Sequence, residues 1–467
     1  MNQSPLLLND EQMRKFITEG FLILKTDFPE SFHHALTAEL NKVYDAEGNP
    51  GNNLLPRIRE IQQVFDSPVI TGALTSVLGP NYMLHAHRHG HYNAQPVAGG
   101  WHKDSYWGYS RMRNHHPWWA MIMYFPQNTP LELGPTSVLP GTQNYESRTF
   151  VSDEVAGEAF ANGEAGTFAL IHYDIWHRST PNVLGNARFM LKFEFMRTAA
   201  PAAPTWDNQA TAWSEPSDLA LPIANHETLW EETWNWLSGS VGSIANSRKE
   251  DANKLNELAR ELEDEFEPTA LNAAYELARY GRKGVAALLA GLHHQSADVS
   301  RVSAYGLSAA GEEAVNGLIA ALEHDREETV YHAIFALGEL GQFAEAALPA
   351  LTSLLSHPSA TIRTAVADAL GMIESTSAAG VDGLITCLAD KDAQVRFTAG
   401  LSLSKLGSTA AAAIPALEAA LDDEDRYVRA HALEALRYIG TEEAKDLLIK
   451  SLFNARWCTT TTPADTF

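Results

Sequence analysis

The stretch GGWHKDSYWG, Gly99 to Gly108, sets the terms for the first half of this 467-residue chain. In an extended strand residues i and i+2 project to the same side, so His102 and Asp104 present an imidazole and a carboxylate together. A third group of this kind stands at His177, inside YDIWHRSTPN (Tyr173 to Asn182). Two histidines and one carboxylate make a face that suits non-haem Fe(II), with three coordination positions left open. Spacing alone does not decide the matter. The chain has 18 histidines, many of which would be core or surface groups, so the bland reading stands beside the metal reading at this point.

Around that stretch the pattern is that of β-structure. From Tyr82 to Phe195 short runs such as MIMYF, TFALI and FMLKFEFM alternate with the turn clusters NTP, LGP, LPG and TPN, as in an antiparallel sandwich or barrel. Ahead of it, Asn9 or Asp10 caps a short amphipathic helix with Met13, Phe16 and Ile17 on one face, and Gly20 ends it before the strand-like FLILK. A second helix covers Phe32 to Tyr44. The run HAHRHGHYN places His85, His87, His89 and His91 at two-residue intervals. A second metal site is one reading; polar lining of a barrel mouth is favoured, because Gly90 can bulge the strand and the run itself holds no carboxylate or Cys. Aromatic residues flank the ligand stretch, and Tyr106 and Trp107, directly after Asp104, are the expected substrate wall.

The second half reads differently. Gly281, Gly311, Gly341, Gly407 and Gly440 each close an Ala/Leu-rich helical pattern at intervals of 30, 30, 66 and 33, with the missing member at Glu374. Six helix pairs follow, none able to bury its apolar stripe alone, so they must stack into an all-α solenoid. The pattern at Asp392 to Arg396 and Asp425 to Arg429 resembles HEAT-like repeats. The expected domains are residues 1–245, the repeats at 250–455 and a flexible tail at 456–467, joined through SGSVGSIANS (Ser238 to Ser247). The Trp-rich LWEETWNWL (Leu229 to Leu237) is too large an apolar investment for a free linker and predicts a docked arrangement.

Composition excludes several classes. The net charge of -24 disfavours loose binding to nucleic acid or anionic membrane. Two thirds of it lies between Glu250 and Leu452, with 32 acidic and 16 basic residues, either a solvated outer face or a surface for a basic protein partner. Two cysteines, Cys387 and Cys458, are too few for a disulfide framework or a Cys-based zinc site. The opening MNQSPLLLNDEQ lacks the features of a signal peptide, and no apolar run reaches the ~20 residues of a membrane helix. A soluble, cytoplasmic protein is expected.

The order WHKD, LELGPTSVLPGTQ, AGTFALIHYDIWHRSTPN, then an Arg eleven positions after the last His, resembles the phytanoyl-CoA dioxygenase family, including the ectoine hydroxylase motifs. The resemblance implies a double-stranded β-helix (jelly roll, cupin-like) holding Fe(II) and 2-oxoglutarate and using O2. It implies His102, Asp104 and His177 as iron ligands and Arg188 as the cation for the distal carboxylate of 2-oxoglutarate. It also implies Ser179 as a hydroxyl to that carboxylate and, more loosely aligned, Gln95 toward the cosubstrate. Because Asp104 fills the position that halogenating relatives leave to Gly or Ala, hydroxylation is favoured over halogenation. The substrate is a small molecule, free or carrier- or protein-tethered. A repeat scaffold with an inactive β-domain, or a protein hydroxylase recruiting through the repeats, is the alternative.

Overall fold

A computed structural model describes residues 4–104, 112–146, 157–219, 224–373 and 378–454. Strands β1 (Phe21–Lys25), β2 (Met83–Asn93), β3 (Trp119–Tyr124), β4 (Thr136–Val138), β5 (Ala159–Phe160), β6 (Thr167–His172), β7 (His177–Ser179) and β8 (Arg188–Met196) form two antiparallel sheets. One has the order β1-β6-β3-β8-β2, the other β5-β4-β7. Helices α1 (Asp10–Glu19), α2 (Glu30–Glu47), α3 (Leu54–Arg57), α4 (Glu60–Phe65) and α5 (Pro68–Leu78) cover the larger sheet from outside. The cap of α1 is Asn9, in a capping box with Gln12, and Gly20 closes the helix in the left-handed conformation at φ 78°.

Strand β8 explains how a fully buried strand can carry charge. Its odd-numbered residues are Phe189, Leu191, Phe193 and Phe195, and these pack outward: Phe65 lies 4.1 Å from Phe193 and Tyr44 5.1 Å from Phe189, ring to ring. Its even-numbered residues, Arg188, Met190, Lys192, Glu194 and Met196, share the opposite, inward face. Strand β2 pairs with β8 so that His89 stands opposite Lys192, His91 opposite Met190 and Asn93 opposite Arg188, with an irregularity between Leu84 and Arg88.

Beyond the sheets come α6 (Glu227–Leu237) and α7 (Ala252–Glu261), then paired helices. The first members are α8 (Glu267–Ala278), α10 (Ala297–Ser308), α12 (Glu327–Glu339), α14 (Ala360–Met372), α16 (Ala393–Leu406) and α18 (Arg426–Ile439). The second members are α9 (Gly281–Leu292), α11 (Val315–Ala321), α13 (Leu348–Ser353), α15 (Ala378–Cys387), α17 (Ile414–Ala420) and α19 (Glu442–Asn454). The five repeat glycines all have positive φ, between 53° and 67°, which is why the turn after each first helix recurs as Gly. Glu374, the interruption of that series, lies outside the described residues.

The repeats are docked, and along most of their length. Tyr275 on α8 hydrogen-bonds His115, Tyr305 on α10 accepts from the Arg113 N–H at 2.7 Å, and Lys405 on α16 lies over the Trp118 ring. On α18, Tyr427 meets Asn52, His431 meets His85 and Tyr438 donates to Tyr82 O. At the centre His116 is held between Glu232 of α6 (2.8 Å) and Glu339 of α12 (2.6 Å) and stacks on Trp236. Burial opposes its charge, but Glu232 and Glu339 overcome that and push His116 up to about 10. Trp230, Trp234 and Trp236 are all buried. The SGSVGSIANS stretch is itself packed in part: Ile244 is buried and Gly242 lies against Gly311 and Phe343. Among the described residues no helix is long and apolar enough to cross a membrane.

Candidate metal centre

His102 lies in extended chain that bridges to β7, its N–H donating to His177 O and its carbonyl accepting from His177 N–H, both at 3.0 Å. That bridge sets the two imidazole rings 4.4 Å apart. Each ring is oriented through Nδ1, which contacts Gly100 O at 2.9 Å for His102 and Ile175 O at 3.1 Å for His177. A carbonyl only accepts, so each Nδ1 carries a proton, and in the neutral ring the Nε2 lone pair is left for a metal. Asp104 comes in from two residues along, its Oδ2 3.2 Å from His177 Nε2. One ligand atom from each of the three lies within 4.8 Å of the others, and among the described residues this is the one group of three or more such side chains to do so.

The electrostatics suit ligation. Burial and then the neighbouring His177 push His102 below its ordinary value, which favours the uncharged form that ligates. Burial would raise the Asp104 carboxyl, but His177 and Lys192 outweigh it and hold it well below the usual carboxylate range. Lys192 is the residue that sequence reasoning missed: its Nζ is 2.6 Å from Asp104 Oδ2 and 3.9 Å from Glu194 Oε1. The signal was available, since counting by twos from Arg188 puts Lys192 and Glu194 on the same face of β8. Between the ligands, Lys103 turns away, donating to Thr142 O and Asp174 O, and burial pushes it down to about 7.

Arg188 is 2% exposed, at the start of β8. Among the described residues its Nε and Nη1 have no hydrogen-bond partner, and its guanidinium lies 5.9 Å from the centre of the Phe125 ring. Burial pushes its pKa down to about 10. Ser179, on β7, accepts from the Gly99 N–H through Oγ at 3.2 Å and through its carbonyl at 2.9 Å. A Cβ at position 99 would fall 2.7 Å from that Oγ, so glycine permits the approach. Gln95 is not drawn into this cluster. It sits exposed past the end of β2, tied by its own backbone to Asn93 and Asn182, and the residue facing Arg188 across the ladder is Asn93. Tyr106 and Trp107 lie outside the described residues.

The histidine run lines the interior, and a carboxylate does accompany it, from another strand. Glu194 Oε2 is 3.2 Å from His85 Nδ1 and Oε1 is 4.0 Å from His87 Nε2. Burial, with Arg88 for His85 and Lys192 for His87, pushes both down to about 3; His89 and His91 are lowered too. The row is neutral.

A β-domain with a two-His, one-Asp cluster able to hold a metal, joined to helical repeats, is therefore the class of protein on view. Residues 20–190 match the phytanoyl-CoA dioxygenase (PhyH) family, and residues 315–381 and 381–457 match HEAT repeats. The two matches place a PhyH domain at residues 20–190 ahead of HEAT repeats at 315–457. Among solved structures it is similar to the non-heme monooxygenase ThoJ in a nickel complex, at 17% identity over 44% of this chain and 86% of that one, TM-score 0.32. It is similar to the non-heme alpha-ketoglutarate-dependent carbocyclase SnoK from nogalamycin biosynthesis, at 14% identity over 42% and 88%, TM-score 0.34. HygX from Streptomyces hygroscopicus, with nickel and 2-oxoglutarate bound, matches at 13% identity over 41% and 88%, TM-score 0.33. No curated protein matches the chain.

Proposed function

We propose that this protein is a mononuclear Fe(II)- and 2-oxoglutarate-dependent oxygenase that hydroxylates an unactivated C–H bond of a small-molecule or carrier-bound metabolite. The observation that carries the reading is Arg188, a buried guanidinium on the same strand face as Lys192 with two nitrogens that find no partner among the described residues. A buried cation without a counter-charge is costly unless a ligand supplies one, and a planar guanidinium selects a carboxylate in bidentate fashion. Charge balance supports a dianion. A divalent metal, Arg188 and Lys192 exceed Asp104 and Glu194 by two positive charges, the amount that 2-oxoglutarate cancels.

His102, Asp104 and His177 hold the metal in this reading, Arg188 and Ser179 receive the distal carboxylate, and the two sheets are those of a double-stranded β-helix. Bound there, Fe(II), 2-oxoglutarate and O2 supply the oxidising chemistry that removes a substrate hydrogen. The chain's own part is to fix the ligand tautomers through Gly100 O and Ile175 O, to keep the histidine row neutral, and to exclude water. Asp104 favours hydroxylation over halogenation. The domain limits proposed are 1–245 and 250–455, with cytoplasmic residence supported by the low cysteine count. Since α8, α10, α12, α16 and α18 meet the β-domain, the second helices are the repeat face left for a protein partner.

The test is succinate formation under air with ferrous iron and ascorbate. Wild type forms succinate from 2-oxoglutarate even without its substrate, and His102→Ala does not; equal, background-level succinate from both returns the chain to the scaffold reading.

A further inference from the structure

Lys192 and Glu194 are 4% and 0% exposed, a depth at which ionisable side chains cost several kcal/mol each unless their partners are well placed. Their neighbours form a series of contacts, each within 4.0 Å, that runs away from the metal centre. Asp104 Oδ2 is 2.6 Å from Lys192 Nζ, which is 3.9 Å from Glu194 Oε1. Glu194 Oε2 is 3.2 Å from His85 Nδ1, and His85 Nε2 is 2.9 Å from His431 Nε2 on α18. His431 is anchored in turn by its Nδ1, 3.0 Å from Phe397 O on α16. The series therefore starts at a ligand carboxylate in the β-domain and ends on the backbone of the fifth repeat.

A second, independent series reaches the same segment from its other side. Tyr305 on α10 accepts from the Arg113 N–H at 2.7 Å, and the Arg113 guanidinium meets Asp174 Oδ1 at 3.2 Å. The carbonyl of Asp174 accepts from Lys103, the residue between His102 and Asp104. Mutating groups that hold a ligating carboxylate in place typically costs about 10–100-fold in metal affinity.

We propose that Lys192 is a positioning residue for Asp104, and that the repeats hold it there through His431 on one side while Tyr305 steadies the ligand segment on the other. The HEAT region is on this account structural support for the metal centre. The inference rests on His102, Asp104 and His177 being metal ligands, as proposed above.

The experiment uses the full-length protein and Co(II) as the probe, titrated while the visible d–d bands report coordination geometry. Wild type should bind one Co(II) and His102→Ala should not; if wild type binds none, or His102→Ala binds as well, the metal reading falls and this proposal with it. Given that control, His431→Leu should weaken Co(II) binding by roughly 10-fold or more and shift the bands. Tyr305→Phe, which removes one hydroxyl, should move both in the same direction by less. Tyr438→Phe is the comparison, because it removes a hydrogen bond at the same domain contact, to Tyr82 O, with no link to the ligands; it should leave bands and affinity at wild-type values. Should His431→Leu not fold, Lys192→Met carries the test: the bands should shift, and Lys192→Arg should restore them. Wild-type bands and affinity in both His431→Leu and Lys192→Met, or equal changes in His431→Leu and Tyr438→Phe, would overturn the proposal.

Discussion

Two buried cations meet the same low-dielectric interior with opposite provision. His116 is 4% exposed and has two carboxylates within 2.8 Å; Arg188 is 2% exposed and has nitrogens unpartnered among the described residues. Both come out at about 10, one pushed up by its partners against burial, the other pushed down by burial alone. The difference separates a joint from a receptor. A buried charge whose partners come from the protein holds elements together, here the loop before β3, α6 and α12. A buried charge left without them is held ready for a charge that comes from outside.

The harshest way to break the comparison is to cut the chain near Ser243. If the joints are as extensive as Tyr275, Tyr305, His116 and His431 indicate, residues 1–242 alone should be far less soluble and heat-resistant than the full chain. Equal resistance would mean that the joints contribute nothing. A milder break is Glu339→Gln, which leaves His116 one carboxylate short and should lower stability by about 3–5 kcal/mol, read from the denaturant midpoint. Arg188→Met should go the other way on stability, with a midpoint unchanged or raised. It should also raise the 2-oxoglutarate requirement by one to three orders of magnitude, for a loss of roughly 2–5 kcal/mol. A destabilised Arg188→Met with normal cosubstrate affinity would erase the distinction.

The smallest effect is the pH profile of the melting temperature. His116 has a folded pKa above its ordinary 6.5, so its contribution is complete below 6.5 and is lost as pH rises toward 10. His85 and His431 have folded values pushed down to about 3, so their contribution is complete above 6.5 and is lost as pH falls toward 3. Stability should therefore fall on both sides of neutrality, with His431→Leu blunting the acid arm alone.

Much of this was legible in the sequence because it depends on short periods. A two-residue step aligns His102 with Asp104, and a repeat near 33 residues fixes the helix pairs and their glycine turns. Lys192 and Glu194 were passed over because FMLKFEFM reads as an apolar strand, although the step from Arg188 already placed them inward. The domain contact was harder. Tyr275 and Tyr305 stand one repeat apart and face the β-domain, but an aromatic in an α-repeat reads as core until its partner is known. Gln95 was placed by loose alignment, and the turn after β2 carries it outward. The SGSVGSIANS stretch reads as a linker from its Gly and Ser, and within it Gly242 packs closely against Gly311 and Phe343.

Solenoids usually tolerate gain or loss of a unit, since each repeat needs only its neighbours. Here α8, α10, α12, α16 and α18 each meet a different, unrepeated feature of the sheet half. Deleting one 33-residue unit in perfect register would leave every repeat well stacked and still bring the wrong side chain opposite His85. The array behaves as a ruler read against a fixed scale, and its number of units is set by the domain it lies on.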